Sequence, residues 1–195
     1  MENITIKAIK ESVDTKNKIL NDAELVKLIS TVGQVLIDLF KNGNKLMLCG
    51  NGGSAADAQH IAAELSGRFN FDRAPLDAEA LHVNTSFVTA VANDYNYEEV
   101  YKRMVQAKAK TGDALIAIST SGNSPNILAA VNKAKECGVV CIGLTGNTGG
   151  QLANLCDYTL KVPSDDTPRI QESHILIGHI LCEMIESNLF DNPNK

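Results

Sequence analysis

The chain has 195 residues, 44% of them hydrophobic and 21% charged, with a net charge of −5. That length fits one domain with a sizeable core, and the negative balance offers no basic footprint to nucleic acid or an anionic membrane. No apolar run approaches the roughly 20 residues needed to cross a bilayer and the N-terminus lacks a signal-peptide core, so a cytoplasmic protein with neither kind of partner is expected.

In chain order, apolar residues recur at helical spacing over about residues 19–40: Leu25, Leu28, Ile29, Val32, Val35, Leu36 and Leu39. They predict a helix within an N-terminal helical segment of about 1–42, stopped by Asn42-Gly43. Residues 45–49 read as a short buried strand, and Ser54 as the N-cap of a helix reaching about residue 66. Residues 67–77 are polar and irregular, 78–83 read as a strand, and helices follow around 87–92 and 97–110. Beyond them come strand 114–118, helix 125–137, strand 139–144, short helix 150–155 and strand 158–162. The last helix spans 168 to about 188, with Thr167 as N-cap and Pro168 at the first helical position. After it only Asn192-Pro193-Asn194-Lys195 remains. Strands alternating with helices imply βαβ units, hence an α/β fold whose parallel sheet is covered on both faces. One domain over 1–195 is expected, with its α/β core at about 45–190. The five cysteines, at 49, 137, 141, 156 and 182, form no Cys-x-x-Cys pair and read as buried reduced thiols.

Two loops carry the chemistry. Gly50-Asn51-Gly52-Gly53-Ser54 and Ser119-Thr120-Ser121-Gly122-Asn123-Ser124 each follow an apolar strand and open a helix. Glycines admit close approach, hydroxyls donate, and the helix N-terminus favours an anion. The second loop packs four hydroxyls into six residues and reads as a phosphate site; the first is a weaker signal, equally compatible with a tight turn. A third turn, Thr145-Gly146-Asn147-Thr148-Gly149-Gly150, lacks the serine cluster and reads as structural. Ligands of such sheets bind beyond the carboxyl ends of the strands, where these loops lie.

Asp57, His60 and Glu64 share one face of the helix leaving the first loop, as a solvated stripe or as orienting partner, metal ligand and base. On the last helix Gln171, Glu172, His179, Glu183 and Glu186 share a polar sector, while His174 falls among apolar residues as a core or interface histidine. The wide apolar sector of that helix suggests burial against several neighbours, including a helix bundle in an oligomer. Asp94, in Asn93-Asp94-Tyr95, is either a helix-terminating residue or a site carboxylate.

Together, Gly50–Ser54 with the following Asp57 and His60, Ala63-Glu64-Leu65-Ser66-Gly67-Arg68, Asn93-Asp94-Tyr95, Ser119–Ser124 and Arg169-Ile170-Gln171-Glu172 closely resemble the bacterial phosphoheptose isomerases of the sugar isomerase (SIS) domain family. The resemblance implies a flavodoxin-like α/β fold whose N- and C-terminal helices pack in a homotetramer, with active sites between subunits. It implies conversion of sedoheptulose 7-phosphate to D-glycero-D-manno-heptose 7-phosphate, which feeds lipopolysaccharide core or capsule. By resemblance, Ser119, Thr120, Ser121 and Ser124 hold the phosphate, and Asn51, Gly52, Gly53, Ser54, Asn93, Asp94, Glu64 and Gln171 meet the sugar. His60, Glu64, Gln171 and His179 match zinc ligands, one zinc per subunit, with Glu64 and His179 also the proton-transfer pair and His174 a fallback ligand. Two positions depart from the pattern: Asn84 stands where relatives commonly have Asp, and Pro168 where Ala or Asp is usual. A non-catalytic relative that binds the replication initiator DnaA shares the loops, and isomerases of arabinose or hexulose phosphates are a further alternative, although those often carry an attached regulatory domain.

Overall fold

The computed structural model describes residues 1–192; the final three residues of the expected domain lie outside the described part. Two helices, α1 (Glu2–Asn21) and α2 (Ala23–Lys41), precede a five-stranded sheet of β1 (Leu46–Gly50), β2 (Ala78–Ala80), β3 (Ala114–Ile118), β4 (Val140–Thr145) and β5 (Tyr158–Lys161). Helices α3 (Gly53–Ser66), α4 (Thr85–Asp94), α5 (Glu99–Lys108), α6 (Pro125–Glu136), α7 (Leu152–Leu155) and α8 (Thr167–Leu189) fill the connections and the C-terminus. The helical segment expected at the N-terminus is therefore two helices. Asp22 breaks it, because its side chain accepts from Leu25 N at 3.0 Å and caps a new helix.

All strand pairs are parallel and the order is β2-β1-β3-β4-β5. Successive strand residues face opposite sides. Leu46, Leu48, Ile116, Ile118, Ile142 and Leu144 meet one core, with residues of α2, α3 and α8. Met47, Cys49, Leu115, Ala117 and Cys141 meet the other, with residues of α5 and α6. β1, β3 and β4 are buried throughout or nearly so, which is why they read as continuous apolar runs. α8 packs against α1, α2 and α3 of its own chain, so much of its apolar sector is covered within the protomer. α1 instead leaves Ile4, Ile6, Ile9, Val13 and Leu20 exposed.

The order reverses between β1 and β3, which lie side by side although sequential neighbours lead away from them. Both loops singled out in the sequence leave the carboxyl ends of these two strands, at the crevice where open parallel sheets bind ligands.

Candidate active site

The serine turn is held by bonds among its own residues and by the neighbouring third turn. Ser119, 3% exposed, places Oγ 3.1 Å from Ser124 Oγ and 3.5 Å from Ser121 Oγ. Ser124 occupies the N-cap of α6, yet its hydroxyl makes no capping bond to the helix, so the helix dipole points into the turn. Gly122 has φ +66°, and a Cβ there would lie 2.0 Å from Gly149 O. Only glycine fits.

The third turn is the wall of this site. Gly146 N donates to Thr120 O at 2.9 Å, and Leu152 N to Gly122 O at 3.0 Å. A cavity of ≈ 290 Å³ is lined by Thr120, Ser121, Asn147, Thr148, Ser164 and Thr167, among others. Reading the third turn as structural alone therefore missed its place beside the serines. Its exit from β4, next to β3, was the available signal.

At the first loop the helix begins sooner than expected. Gly52 is the N-cap of α3, at φ +55°, and Ser54 lies inside the helix at 4% exposure. The expected cap moved because the chain turns at a glycine able to adopt that conformation. Asn51 and Asn126 exchange two hydrogen bonds, of 2.9 and 2.8 Å, and Tyr97 Oη donates to Asn51 Oδ1 at 3.3 Å. A Cβ on Gly53 would sit 2.5 Å from Gln171 Nε2, so this glycine lets the α8 amide lie against the loop.

Asn93 and Asp94 end α4 as exposed residues, with Asn93 Nδ2 donating to Asp94 Oδ1 at 2.9 Å. Asn84 caps α4 by accepting from Phe87 N at 3.0 Å, a task Asp performs equally well. α8 starts at Thr167 with Asp166 as N-cap, one residue before the expected boundary, and Pro168 remains in the first turn.

His60 and Glu64 of α3 meet His179 of α8. One ligand atom from each of the three lies within 4.8 Å of the others. His60 Nε2 is 3.0 Å from Glu64 Oε1, and the two imidazoles meet edge to face at 5.1 Å. His179 Nε2 is buried without a hydrogen-bond partner. Two imidazole nitrogens, one of them without a hydrogen-bond partner, and a carboxylate oxygen form a donor set that fits a divalent cation such as zinc.

Gln171 is placed elsewhere along α8. It lies against Gly53, two helical turns before His179 and about 12 Å from it along the axis. His174 is no substitute ligand: it is fully buried, with Nε2 3.1 Å from Thr145 O. Burial takes its pKa down to about 4. Asp57 makes no hydrogen bond to His60 among the described residues. Its Oδ2 is buried and unpartnered, and burial pushes the carboxyl up to about 6 against the pull of His60.

Sequence reasoning also missed the clasp that sets α3 against α8. Glu186, 1% exposed, accepts from Phe69 N at 3.0 Å, Asn70 N at 2.7 Å and Arg73 Nε at 3.1 Å. The Arg73 guanidinium in turn donates to the carbonyls of Glu64, Leu65, Gly67 and Ala74, satisfying the C-terminal end of α3. The same segment stacks Phe69 on His179 at 5.7 Å. Glu186 stood in the polar sector of α8, but its partners lie in a segment without periodicity.

Residues 10–146 match the SIS domain family. The chain belongs to that family. Among SIS domain proteins it is 54% identical over 184 residues to the phosphoheptose isomerase of Aneurinibacillus thermoaerophilus, covering 94% of this chain and 93% of that one. It is 52% identical over 190 residues to that of Clostridium acetobutylicum, covering 97% of both. The solved structure of phosphoheptose isomerase GmhA from Neisseria gonorrhoeae superposes with a TM-score of 0.90 at 40% identity, over 95% of this chain and 98% of the other.

Proposed function

We propose that this SIS domain protein is an aldose–ketose isomerase that converts sedoheptulose 7-phosphate to D-glycero-D-manno-heptose 7-phosphate for bacterial lipopolysaccharide core or capsule. The observation that carries the reading is the His60–Glu64–His179 cluster, in a chain 54% identical to a phosphoheptose isomerase. A purely regulatory protein that binds DnaA has no use for two imidazoles and a carboxylate brought together with one ring nitrogen unpartnered.

Isomerisation moves a proton from C1 to C2 through an enediol(ate). Ser119, Thr120, Ser121 and Ser124 hold the phosphate, with the α6 N-terminus behind them. Asn51, Gly52, Gly53, Ser54, Asn93, Asp94 and Gln171 frame the sugar. Glu64 takes the carbon-bound proton and returns it to the neighbouring carbon, while His179 transfers the proton between the two oxygens. His60, Glu64 and His179, with Gln171 as the fourth candidate, would hold one zinc per subunit, which would supply Lewis-acid polarisation of the C1/C2 oxygens.

The same reading includes a cytoplasmic homotetramer with active sites between subunits. The exposed apolar residues of α1 support an oligomer. Free thiols at all five cysteines suit a reducing compartment, and no helix among the described residues is long and apolar enough to cross a membrane. An NMR time course with sedoheptulose 7-phosphate and added zinc tests the reading. Conversion to the aldose, arrested by chelator, supports it. No conversion with zinc present, together with capture of DnaA, replaces it by the regulatory alternative.

A further inference from the structure

The serine turn and the glycine loop belong to separate βα units, and main-chain pairing of β1 with β3 ends at Gly50 and Ile118. Beyond those residues the two loops need another means of holding their spacing. The side chains of Asn51 and Asn126 supply it. Asn126 is the second residue of α6, directly behind the serine turn, and is 4% exposed. Its carboxamide faces that of Asn51 in a reciprocal pair, Asn51 Nδ2 to Asn126 Oδ1 at 2.9 Å and Asn126 Nδ2 to Asn51 Oδ1 at 2.8 Å. Tyr97, from the turn between α4 and α5, adds a third bond to the same Asn51 oxygen at 3.3 Å. Three loops at the ligand-binding edge of the sheet thus converge on one amide.

We propose that Asn126 is a positioning residue whose amide pair with Asn51, joined by Tyr97, fixes the distance between the phosphate-binding turn and the sugar-binding loop. The proposal rests on the sugar-phosphate reading above. A buried amide paired with a half-buried one favours one geometry, because breaking the pair leaves the Asn126 donor and acceptor unsatisfied where water reaches poorly. Neither partner needs to touch the phosphate for the pair to set how long a ligand fits between the loops. The pairing also fixes which way the Asn51 amide faces, and its second N–H hydrogen is thereby aimed rather than free to rotate.

Asn126→Leu keeps the branching and heavy-atom count of the side chain and removes both hydrogen bonds, Asn126→Asp keeps the shape but replaces the donor with an acceptor and a negative charge, and Tyr97→Phe removes only the exposed hydroxyl. Inorganic phosphate engages the serine turn alone; sedoheptulose 7-phosphate spans both loops. Asn126→Leu should lower kcat/KM for the sugar phosphate by about tenfold or more while inorganic phosphate binding changes less than about twofold; Asn126→Asp also sets a negative charge behind the phosphate turn and is read by hydrogen exchange without ligand. Tyr97→Phe should show the same split at about threefold. Hydrogen exchange at residues 51–54 should quicken in the Asn126 variants without any substrate present. Equal losses for both ligands, or unchanged kinetics and exchange, overturn the proposal. Should Asn126→Leu fail to fold, Asn126→Asp and Tyr97→Phe decide the matter. If the unaltered protein turns over no sugar phosphate yet the exchange at 51–54 still responds, the functional reading fails and the tie between the loops stands.

Discussion

The serine turn and the His–Glu–His cluster are built in opposite ways. Ser119 to Ser124 is one contiguous run that folds on itself at the end of β3, with hydroxyls bonded to each other and a glycine fitted against the third turn. His60, Glu64 and His179 come from two helices far apart in sequence, and their meeting depends on how α3 lies against α8. A local device survives damage elsewhere, whereas one made by packing inherits every weakness of the packing. The two regions should therefore respond separately to mutation.

The largest separation comes from the clasp. Glu186→Ala leaves the buried Arg73 guanidinium and two N–H groups without their acceptor, at a cost of about 3–5 kcal/mol in stability. Denaturant unfolding measures that loss. In the protein that remains folded, zinc affinity should fall markedly while inorganic phosphate binding holds; equal losses in both would erase the distinction between the regions.

His174 sits on the seam between them, on α8 but bonded to the last carbonyl of β4. Burial depresses its pKa to about 4, below the ordinary 6.5. The unfolded chain accepts a proton that the folded chain refuses, so this contribution is full above pH 6.5 and is lost as pH falls toward 4. The loss reaches at most about 3 kcal/mol. Replacing His174 with Gln should flatten stability against pH in that window, as thermal melts at stepped pH will show. An unchanged slope would mean that other groups govern the acid limb.

Ser121→Ala with Ser124→Ala confines the damage to the local device. KM for the phosphorylated substrate should rise by about 10- to 100-fold, from two lost charge-assisted hydrogen bonds. Zinc binding should stay as it was, and a KM that does not move refutes the phosphate assignment. The smallest effect belongs to Asn84→Asp, which preserves the cap of α4 and should alter kinetics by less than about twofold and stability by no more than a few tenths of a kcal/mol.

This contrast also explains what the sequence revealed. The parallel sheet was legible because buried strands are continuous apolar runs between helical patterns, and the serine turn because its residues are adjacent. His60 and Glu64 could be paired by helical spacing, since both lie on α3. That Gln171 would rest on Gly53 while His179 meets His60 is a matter of how two helices align, which no periodicity records. Arg73 was invisible for the same reason: its partners are backbone carbonyls and a glutamate brought in by tertiary packing. The break at Asp22 was readable as a cap, but the apolar pattern runs through it and masked the boundary.

Deuterium uptake at C1 of sedoheptulose 7-phosphate, followed by NMR in D2O with the zinc-loaded protein and its Glu64→Gln variant, probes the assignment of the carbon base directly. Rapid exchange by the unaltered protein, slowed by about 100-fold or more in the variant while sugar-phosphate binding persists, is the result this account predicts. Undiminished exchange in Glu64→Gln would contradict it, and the proton would have to be moved by some other group.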